Sequence, residues 1–254
     1  MLLEGKNAVI YGGGGAIGGA VARAFGREGA RVFLAGRTAA KLEAVAEDIR
    51  SEGGPADTAE VDALDEQAVD RHADAVAAEA GSLDVSFNLI AHPYTHGTPL
   101  AQMKVDDFLA PIETAARTTF LTARAAARHM IPRGSGVILI FGGPGDRSAP
   151  IRDYYLGGTQ VAFDVLETMR RQLSVELGPS GVRIVTLESG GAPETLPEGF
   201  EGRQEIVDLI EGQTLVGRTH SLEEIGNVAA FVASDKAGPM TAATVNVSAG
   251  SLVD

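Results

Sequence analysis

The chain alternates short apolar runs rich in β-branched residues with longer stretches in which apolar positions recur every three or four residues. The first pattern is typical of strands and the second of amphipathic helices. Several short runs are almost continuously apolar, as in strands that are buried on both faces. The pattern predicts strands at Asn7 to Tyr11, Arg31 to Ala35, Ala56 to Val61, Val85 to Ile90, Val137 to Phe141, Arg183 to Leu187 and Thr244 to Val247. It predicts helices over Ile17 to Arg27, Ala39 to Glu52, Glu66 to Glu79, Asp106 to Met130, Gln160 to Leu177 and Leu222 to Ala233.

Strands that alternate with helices in this way favour a parallel sheet, because each helix returns the chain to the start of the next strand. We therefore predict an α/β fold, a doubly wound parallel seven-stranded sheet with helices on both faces, known as the Rossmann fold. No linker rich in proline or serine and no repeat interrupts the alternation. We expect residues 1–254 to form a single domain.

Two of the predicted helices, around 114–130 and 160–177, carry alanine, leucine, valine and threonine on more than one face. A helix that is apolar on two sides needs a second cover beyond its own sheet. We expect a homo-oligomer, a dimer or a tetramer, that packs through these helices. The alternative is that high alanine content marks ordinary surface helices.

Composition and charge limit the classes of partner. The formal net charge is −13 at pH 7, and so acidic a protein repels nucleic acid and anionic membranes. A small-molecule substrate is the better expectation. The sequence has no cysteine, which excludes disulfides and a cysteine nucleophile. It begins without a basic segment followed by a long apolar one, and no apolar run has the length of a membrane helix. We therefore expect a cytoplasmic protein.

A glycine-rich stretch, YGGGGAIG, separates the first predicted strand from the first predicted helix. A glycine run between a strand and a helix is the setting of a dinucleotide-binding turn. Gly12 would permit the tight turn, Gly14 and Gly15 would allow a ligand to approach the backbone, and Gly18 would let the helix pack on the strand. The free N–H groups at the helix start attract a pyrophosphate. The alternative is a flexible turn without a ligand.

The same stretch resembles the Thr-Gly-x-x-x-Gly-x-Gly turn of short-chain dehydrogenases/reductases, with Tyr11 in place of the threonine and Ala16 in place of the middle glycine. Further similarities follow in order: EVDALD around Asp62, LDVSFN ending at Asn88, ELGPSGVRIVTL from Glu176, and LEEIGNVAAFVASD near the end. The chain is similar to this family over its whole length. The resemblance implies the Rossmann fold, a nicotinamide cofactor and an oxidoreductase.

The resemblance also implies which residues contact the cofactor. They are distributed over the carboxyl ends of several strands, where ligands collect in such sheets. The pyrophosphate would be contacted by Gly12, Ile17 and Gly18, the adenine by Asp62, the ribose region by Asn88, and the nicotinamide end by Thr195.

The second predicted strand ends in AGRT, with Arg37 near the place where an acidic residue would bond the ribose 2′-hydroxyl of NAD(H). A guanidinium pairs instead with a 2′-phosphate. The sequence therefore favours NADP(H) over NAD(H). A solvated surface arginine is the alternative interpretation of Arg37.

The family's catalytic set is Asn, Ser, Tyr and Lys, in which the lysine lowers the pKa of the tyrosine so that the phenol can deliver a proton. Counted from the neighbouring motifs, the Tyr and Lys positions fall at Thr159 and Phe163. The Ser position falls at Gly142 or Gly143, and the Asn position at Ala115. None of the four residue types is retained, so the resemblance does not extend to the proton relay.

Other side chains are candidates for the missing proton donor. Tyr155 lies near the expected tyrosine if one additional helical turn precedes the helix, but the residue four positions later is Thr159 and not lysine. Lining of the substrate pocket or core packing is its alternative role. His92, with Tyr94 and His96, follows the fourth strand, and histidine exchanges protons near neutral pH. Ser148, after the fifth strand, could supply the missing hydroxyl. Each could equally be an ordinary loop residue.

His92 and His96 have the spacing His-x-x-x-His, which on a helix would direct both rings to one metal ion. Pro93 and Gly97 argue against a helix there, and no acidic ligand is adjacent. We expect no metal site.

Three functions are compatible with these residues. The first is an NADP(H)-dependent oxidoreductase acting on a small carbonyl or enone with an atypical catalytic site, because losing a general acid costs about 10² to 10⁴-fold in rate without forbidding hydride transfer. The second is a non-redox cyclase, dehydratase or isomerase that uses His92, His96 or Tyr155. The third is a catalytically silent nucleotide-binding or scaffold protein. In each case a variable segment at about 191–218 would line the substrate pocket.

Overall fold

The computed structural model describes residues 1–93, 96–143, 155–196 and 199–253. The strands are β1 (Asn7–Tyr11), β2 (Arg31–Gly36), β3 (Ala56–Glu60), β4 (Val85–Asn88), β5 (Gly136–Gly142), β6 (Val182–Glu188) and β7 (Ala243–Asn246). The helices are α1 (Ala16–Arg27), α2 (Ala39–Ser51), α3 (Glu66–Ala80), α4 (Val105–Met130), α5 (Gly158–Leu177), α6 (Arg203–Glu211) and α7 (Leu222–Ala233). The strands form one sheet in the order β3-β2-β1-β4-β5-β6-β7. All neighbouring pairs are parallel, which confirms the predicted doubly wound seven-stranded sheet.

The sheet separates two apolar cores. Helices α1, α2 and α7 pack on one face, and α3, α4 and α5 pack on the other. Successive residues of β1 alternate between them: Ala8 and Ile10 face the first core, whereas Val9 and Tyr11 face the second. Because both faces are covered, β1 needs an apolar side chain at nearly every position. This is the origin of the continuous apolar runs in the sequence.

The structure departs from the prediction at the sheet edges and in one helix. Ala56 is the only fully buried residue of β3, and no residue of β7 is fully buried. An edge strand has a neighbour on one side only, so the expected burial on both faces is not reached there. Helix α6 is absent from the prediction, and none of its residues is buried. The other boundaries lie within two residues of the predicted ones.

Helices α4 and α5 pack closely enough to fix where α5 begins. Gly158 is the first residue of α5, and a Cβ there would lie 1.9 Å from the carbonyl oxygen of Phe108 on α4. A side chain at this position would push the two helices apart. Helix α4 spans 26 residues. Among the described helices, none combines the length and apolar character that crossing a membrane requires.

A tyrosine and a histidine meet inside the second core. The ring of Tyr11, at the end of β1, meets the imidazole of His72 on α3 edge-on, with the ring centroids 5.8 Å apart. Burial lowers the pKa of His72 to about 4. Burial and, second, the negative charge of Asp70 raise the pKa of Tyr11. Both side chains are therefore neutral at pH 7, as a packed core requires.

Because the pKa of His72 is lowered on folding, the unfolded chain takes up a proton below about pH 6.5 that the folded chain does not. Stability contributed by the neutral ring is thus complete at pH 7 and is lost as the pH falls toward 4. For His72 alone we predict a loss of about 2 kcal/mol between pH 7 and pH 5. Urea unfolding of wild type and of His72→Leu at both pH values measures it. The variant should lose less stability than wild type, and equal losses would contradict the prediction.

Candidate functional site

The glycine-rich turn leads from β1 into α1 at the carboxyl edge of the sheet. Gly12 has a φ of 81°, and a Cβ there would lie 2.5 Å from the carbonyl oxygen of Leu89. Gly18 packs on the same turn, since its Cβ would lie 2.2 Å from the carbonyl oxygen of Gly12. Glycine is therefore required at both positions, by backbone conformation and contact at Gly12 and by contact at Gly18.

The start of α1 is suited to an anion. Gly15 is the N-cap residue and offers no side chain to the helix, and the first turn contains no acidic residue. The first N–H groups of a helix have no partner within it and lie at the positive end of its dipole. Ile17 belongs to this turn, and its side chain packs against the first core, so its backbone is the part suited to a phosphate. A pyrophosphate fits this helix start.

The remaining glycines of the run serve packing as well. A Cβ at Gly13 would lie 2.5 Å from the side chain of Leu34, and one at Gly14 would lie 2.9 Å from the Cβ of Lys41. Gly14 thus lets α2 approach the turn, in addition to the ligand access expected from the sequence. The role of Gly13 is missing from the sequence interpretation; the unbroken run of four glycines is the only signal for it.

The carboxyl ends of β2 and β3 adjoin the turn. The N–H groups of Gly12 and Gly13 donate to the carbonyl oxygen of Ala35 on β2, at 2.8 and 3.3 Å. Arg37 lies two residues beyond Ala35, is exposed, and forms no ion pair with a described residue. Asp62, beyond β3, is exposed and accepts a hydrogen bond from the backbone of Leu64 at 3.0 Å. Arg37 and Asp62 are therefore both exposed, after the neighbouring strands β2 and β3.

Asn88 and Thr195 are engaged in local hydrogen bonds. The side-chain amide of Asn88 donates to the hydroxyls of Thr118 and Thr119 on α4, at 3.0 and 2.9 Å, and its oxygen accepts from the N–H of Ile90. The side chain thus ties the end of β4 to α4, which leaves the backbone for any ribose contact. Thr195 is exposed on a short turn after β6, and its hydroxyl donates to the carbonyl of Ala192 at 2.7 Å.

An aromatic contact joins Phe163, the position counted from the motifs for the family's lysine, to Gly143, one of the two positions counted for its serine. A Cβ at Gly143, just beyond β5, would lie 2.4 Å from the ring of Phe163 on α5. The imidazole of His92 meets the same ring edge-on, with centroids 5.8 Å apart and an angle of 70° between the planes. Burial lowers the pKa of His92, so this imidazole is neutral at pH 7. The contact contains no cation.

The other two positions of the family's set lie in the second core. Thr159 is 1% exposed, and its hydroxyl makes no hydrogen bond to a described residue. Ala115 on α4 is equally buried. Thr159 is therefore enclosed, and its short side chain does not reach the surface of the site as a tyrosine would.

Tyr155 joins the loop that follows β4. Its carbonyl oxygen accepts a hydrogen bond from the N–H of Gly97 at 2.9 Å, which brings it to the loop of His92 and His96. The phenol is 40% exposed, so solvent surrounds much of it. Burial lowers the pKa of His96. Two candidates from the sequence, Ser148 and Tyr94, lie outside the described residues.

The C-terminal residues pack against this edge of the sheet. The sequence does not predict this packing. A Cβ at Gly190, after β6, would lie 2.3 Å from the hydroxyl of Ser251, and one at Gly250 would lie 2.7 Å from the side chain of Leu215. The C-terminal segment therefore packs on the turn after β6 and on the variable segment. Ala249, in the serine- and glycine-containing end of the chain, has a φ of 55°; this turn composition is the available sequence signal.

Buried Glu188 is a further polar residue at this edge. It ends β6 beside Gly142 of β5 and Asn246 of β7, and it is 1% exposed. A buried carboxyl group at the carboxyl edge of a parallel sheet needs a polar partner, so Glu188 adds a polar group to the interior of this edge.

Comparison with known proteins agrees with this geometry. Residues 14–251 match a family model described as enoyl-(acyl carrier protein) reductase. The oxidoreductase asL5 of Sarocladium schorii is 33% identical over 98% of this chain and 96% of its own length. Gluconate 5-dehydrogenase of Gluconobacter oxydans is 28% identical over 91% of this chain and 89% of its own length. A short-chain type dehydrogenase/reductase from Mycobacterium marinum superimposes with a TM-score of 0.87 at 25% identity, over 98% of this chain and 96% of that one. With the fold, the glycine turn and these matches in agreement, the chain belongs to the short-chain dehydrogenase/reductase family of oxidoreductases.

Proposed function

We propose that this protein is an NADP(H)-dependent oxidoreductase that acts on a small carbonyl or enone substrate at an atypical catalytic site. The observation that carries the proposal is Arg37, an exposed guanidinium without an ion-pair partner among the described residues, at the end of β2. Ala35, two residues before it, accepts hydrogen bonds from Gly12 and Gly13 of the glycine turn. A pyrophosphate on the helix start and a 2′-phosphate on Arg37 together describe NADP(H).

Different residues at this edge would bind different parts of the cofactor. Gly12, Gly14, Gly15, Ile17 and Gly18 would hold the pyrophosphate. Three others would bind the remaining parts, with Asp62 beside the adenine, the backbone of Asn88 beside the ribose, and Thr195 at the nicotinamide end. The bound cofactor supplies or accepts a hydride. The chain's own task is then to orient the substrate next to it.

The catalytic step depends on positioning more than on a proton relay. Tyr155, His92 and Ser148 are the proposed catalytic candidates; of these, Tyr155 and His92 come from segments that the structure brings together. The family's relay positions carry Phe163 and an enclosed Thr159 instead of a lysine and a tyrosine. A hydride acceptor can still be reduced when solvent supplies the proton, at a rate lower by the general-acid contribution of about 10² to 10⁴-fold.

The wider organisation is also part of the proposal. Residues 1–254 would act as one cofactor-binding domain, in which the segment 191–218 encloses the substrate. Helix α6 lies in this segment, and none of its residues is buried, as suits an element that adapts to a ligand. We further propose a cytoplasmic homo-oligomer with a small-molecule substrate and with neither nucleic acid nor membrane as partner.

A catalytically silent nucleotide-binding protein is the second candidate. The contact of Phe163 with the backbone at Gly143 favours it, because an aromatic ring stands where the relay would need a cation and a hydroxyl. A non-redox enzyme that uses His92 is a further alternative. Titration with NADPH, followed by turnover assays with ketones, quinones and enones, separates the candidates. Binding with cofactor oxidation supports the reductase, binding without turnover supports the silent protein, and product formation without cofactor oxidation supports the non-redox enzyme.

For the cofactor, we predict that NADPH binds about tenfold more tightly than NADH, because hydrogen bonds to charged groups contribute about 1.5–3 kcal/mol. Arg37→Asp should reverse the order by repelling the 2′-phosphate and accepting the 2′-hydroxyl. Fluorescence titration with both nucleotides measures the ratio. Arg71→Asp, on the exposed side of α3, makes the same charge change away from the site and should keep the wild-type ratio. Preference for NADH, or unchanged NADPH affinity in Arg37→Ala, would contradict the assignment.

For the proton, we predict that Tyr155→Phe lowers kcat by less than about tenfold, short of the ~10² to 10⁴ of a principal general acid. The reason is that Tyr155 is exposed to solvent and that no lysine lies within the segment around it. Steady-state kinetics at saturating NADPH measure the effect. A hundredfold loss with intact folding and NADPH binding would show that Tyr155 carries the proton.

For the assembly, we predict a dimer or a tetramer at micromolar concentration. Helices α4 and α5 expose apolar side chains, among them Phe120 at 52% and Val175 at 75% exposure, and a symmetric copy would cover them. Light scattering coupled to gel filtration measures the mass. Phe120→Glu should shift the population toward the monomer, whereas Leu209→Glu on α6 should not. A monomeric wild type would contradict the prediction.

A further inference from the structure

The chemistry that a site can support depends on how basic the product of hydride addition is. Hydride addition to a simple ketone gives an alkoxide, about as basic as hydroxide, since bulk water has a pKa of about 15.7. Such a product needs a proton as it forms. Hydride addition to a quinone gives a phenolate-like anion, and phenols have a pKa of about 10. This anion is stable enough to leave the site before solvent protonates it.

The described relay positions offer an alkoxide no proton. Gly143 has no hydroxyl, Phe163 has no charge, and the hydroxyl of Thr159 is enclosed in the core. Ala115 on α4 has no polar side chain either. This part of the site is therefore poorly suited to simple ketones and compatible with an acceptor that tolerates delayed protonation.

The same residues give the site an aromatic wall. The Phe163 ring is partly buried and lies directly against the backbone at Gly143, where any side chain would collide with it. The His92 ring braces it edge-on. The Phe163 ring is thus held in one orientation by contacts on two sides. Aromatic rings pair in offset-stacked or edge-to-face arrangements, each worth about 0.5–1.5 kcal/mol beyond the area that they bury. A planar ring is the ligand shape that such a wall recognises.

We infer that the preferred acceptor of this site is a quinone, seated against Phe163, rather than a simple ketone. The inference rests on the proposed function, because the reductant is reduced nicotinamide. The quinone gains a hydride, that is, one proton and two electrons. The reduced nicotinamide loses this hydride and is thereby oxidised by two electrons. The resulting hydroquinone monoanion then takes one proton from water. No side chain changes its protonation state in this scheme.

The decisive experiment compares two acceptors on the same bicyclic frame, 1,4-naphthoquinone and 1-tetralone. NADPH oxidation is followed with the full-length protein, and a blank without protein corrects for direct reaction with the quinone. We expect kcat/KM for the quinone to exceed that for the ketone by about 10²-fold or more, the contribution of a general acid that only the ketone requires. Comparable kcat/KM values for the two acceptors would overturn the inference and leave the reductase proposal standing.

A pair of variants tests the aromatic wall. Phe163→Leu keeps the position apolar but removes the ring, and it should lower kcat/KM for the quinone by about three- to tenfold. Binding of 1-naphthol, a planar ring that cannot accept a hydride, should weaken by a similar factor in calorimetric titration of the NADPH-loaded protein. Phe231→Leu on α7, an exposed residue away from the site, is the matched control and should change neither value.

The outcomes distinguish the inference from the function on which it rests. Failure to bind NADPH, or binding without oxidation by any acceptor, would overturn the reductase proposal and the quinone inference together. Turnover of the quinone with no effect of Phe163→Leu on kcat/KM or on 1-naphthol binding would overturn the seat at Phe163. A preference for the quinone together with weaker quinone turnover and naphthol binding in the variant supports the inference.

Discussion

Two carbonyl oxygens lie so close to the glycine turn that no side chain fits between them and the backbone. A Cβ added at Gly12 would lie 2.5 Å from the carbonyl oxygen of Leu89, and a Cβ added at Gly18 would lie 2.2 Å from the carbonyl oxygen of Gly12. These contacts hold the ends of β1 and β4 and the start of α1 together. Hydrogen bonds from Gly12 and Gly13 to Ala35 join the end of β2, which Arg37 follows, to the same turn. The cofactor half of the site is thus a property of backbone packing, which constrains residue type strongly.

The substrate half of the site obeys a different constraint, since its geometry comes from side chains. Phe163 fills the space over Gly143, and His92 contacts the ring from the side. These residues come from α5, from the end of β5 and from the loop after β4, which meet because the carboxyl ends of parallel strands share one edge. A backbone arrangement that binds a nucleotide can therefore remain while the chemistry beside it changes.

How much could be predicted from the sequence follows from the range of the contacts involved. Strand β1 was predictable because its side chains from Ala8 to Tyr11 each enter one of the two cores, so the pattern is local. Helix α6 was not, because its place depends on a distant contact, in which Gly191 admits Ile210. The glycine turn was recognisable as a motif, but the packing of Gly13 on Leu34 requires three-dimensional knowledge. The glycine at position 143 and the phenylalanine at position 163 could each be noted in the sequence, but the contact between them could not.

That contact makes the two changes interdependent. Serine at position 143 would place a Cβ 2.4 Å from the Phe163 ring, so the hydroxyl cannot return while the ring remains. Lysine at position 163 would place an ammonium beside the partly buried ring of His92, where desolvation disfavours charge. A tyrosine at position 159 would have to leave the enclosed site that Thr159 occupies. On the motif count, no single substitution therefore rebuilds the family's relay, because the contact between positions 143 and 163 makes the residues there interdependent.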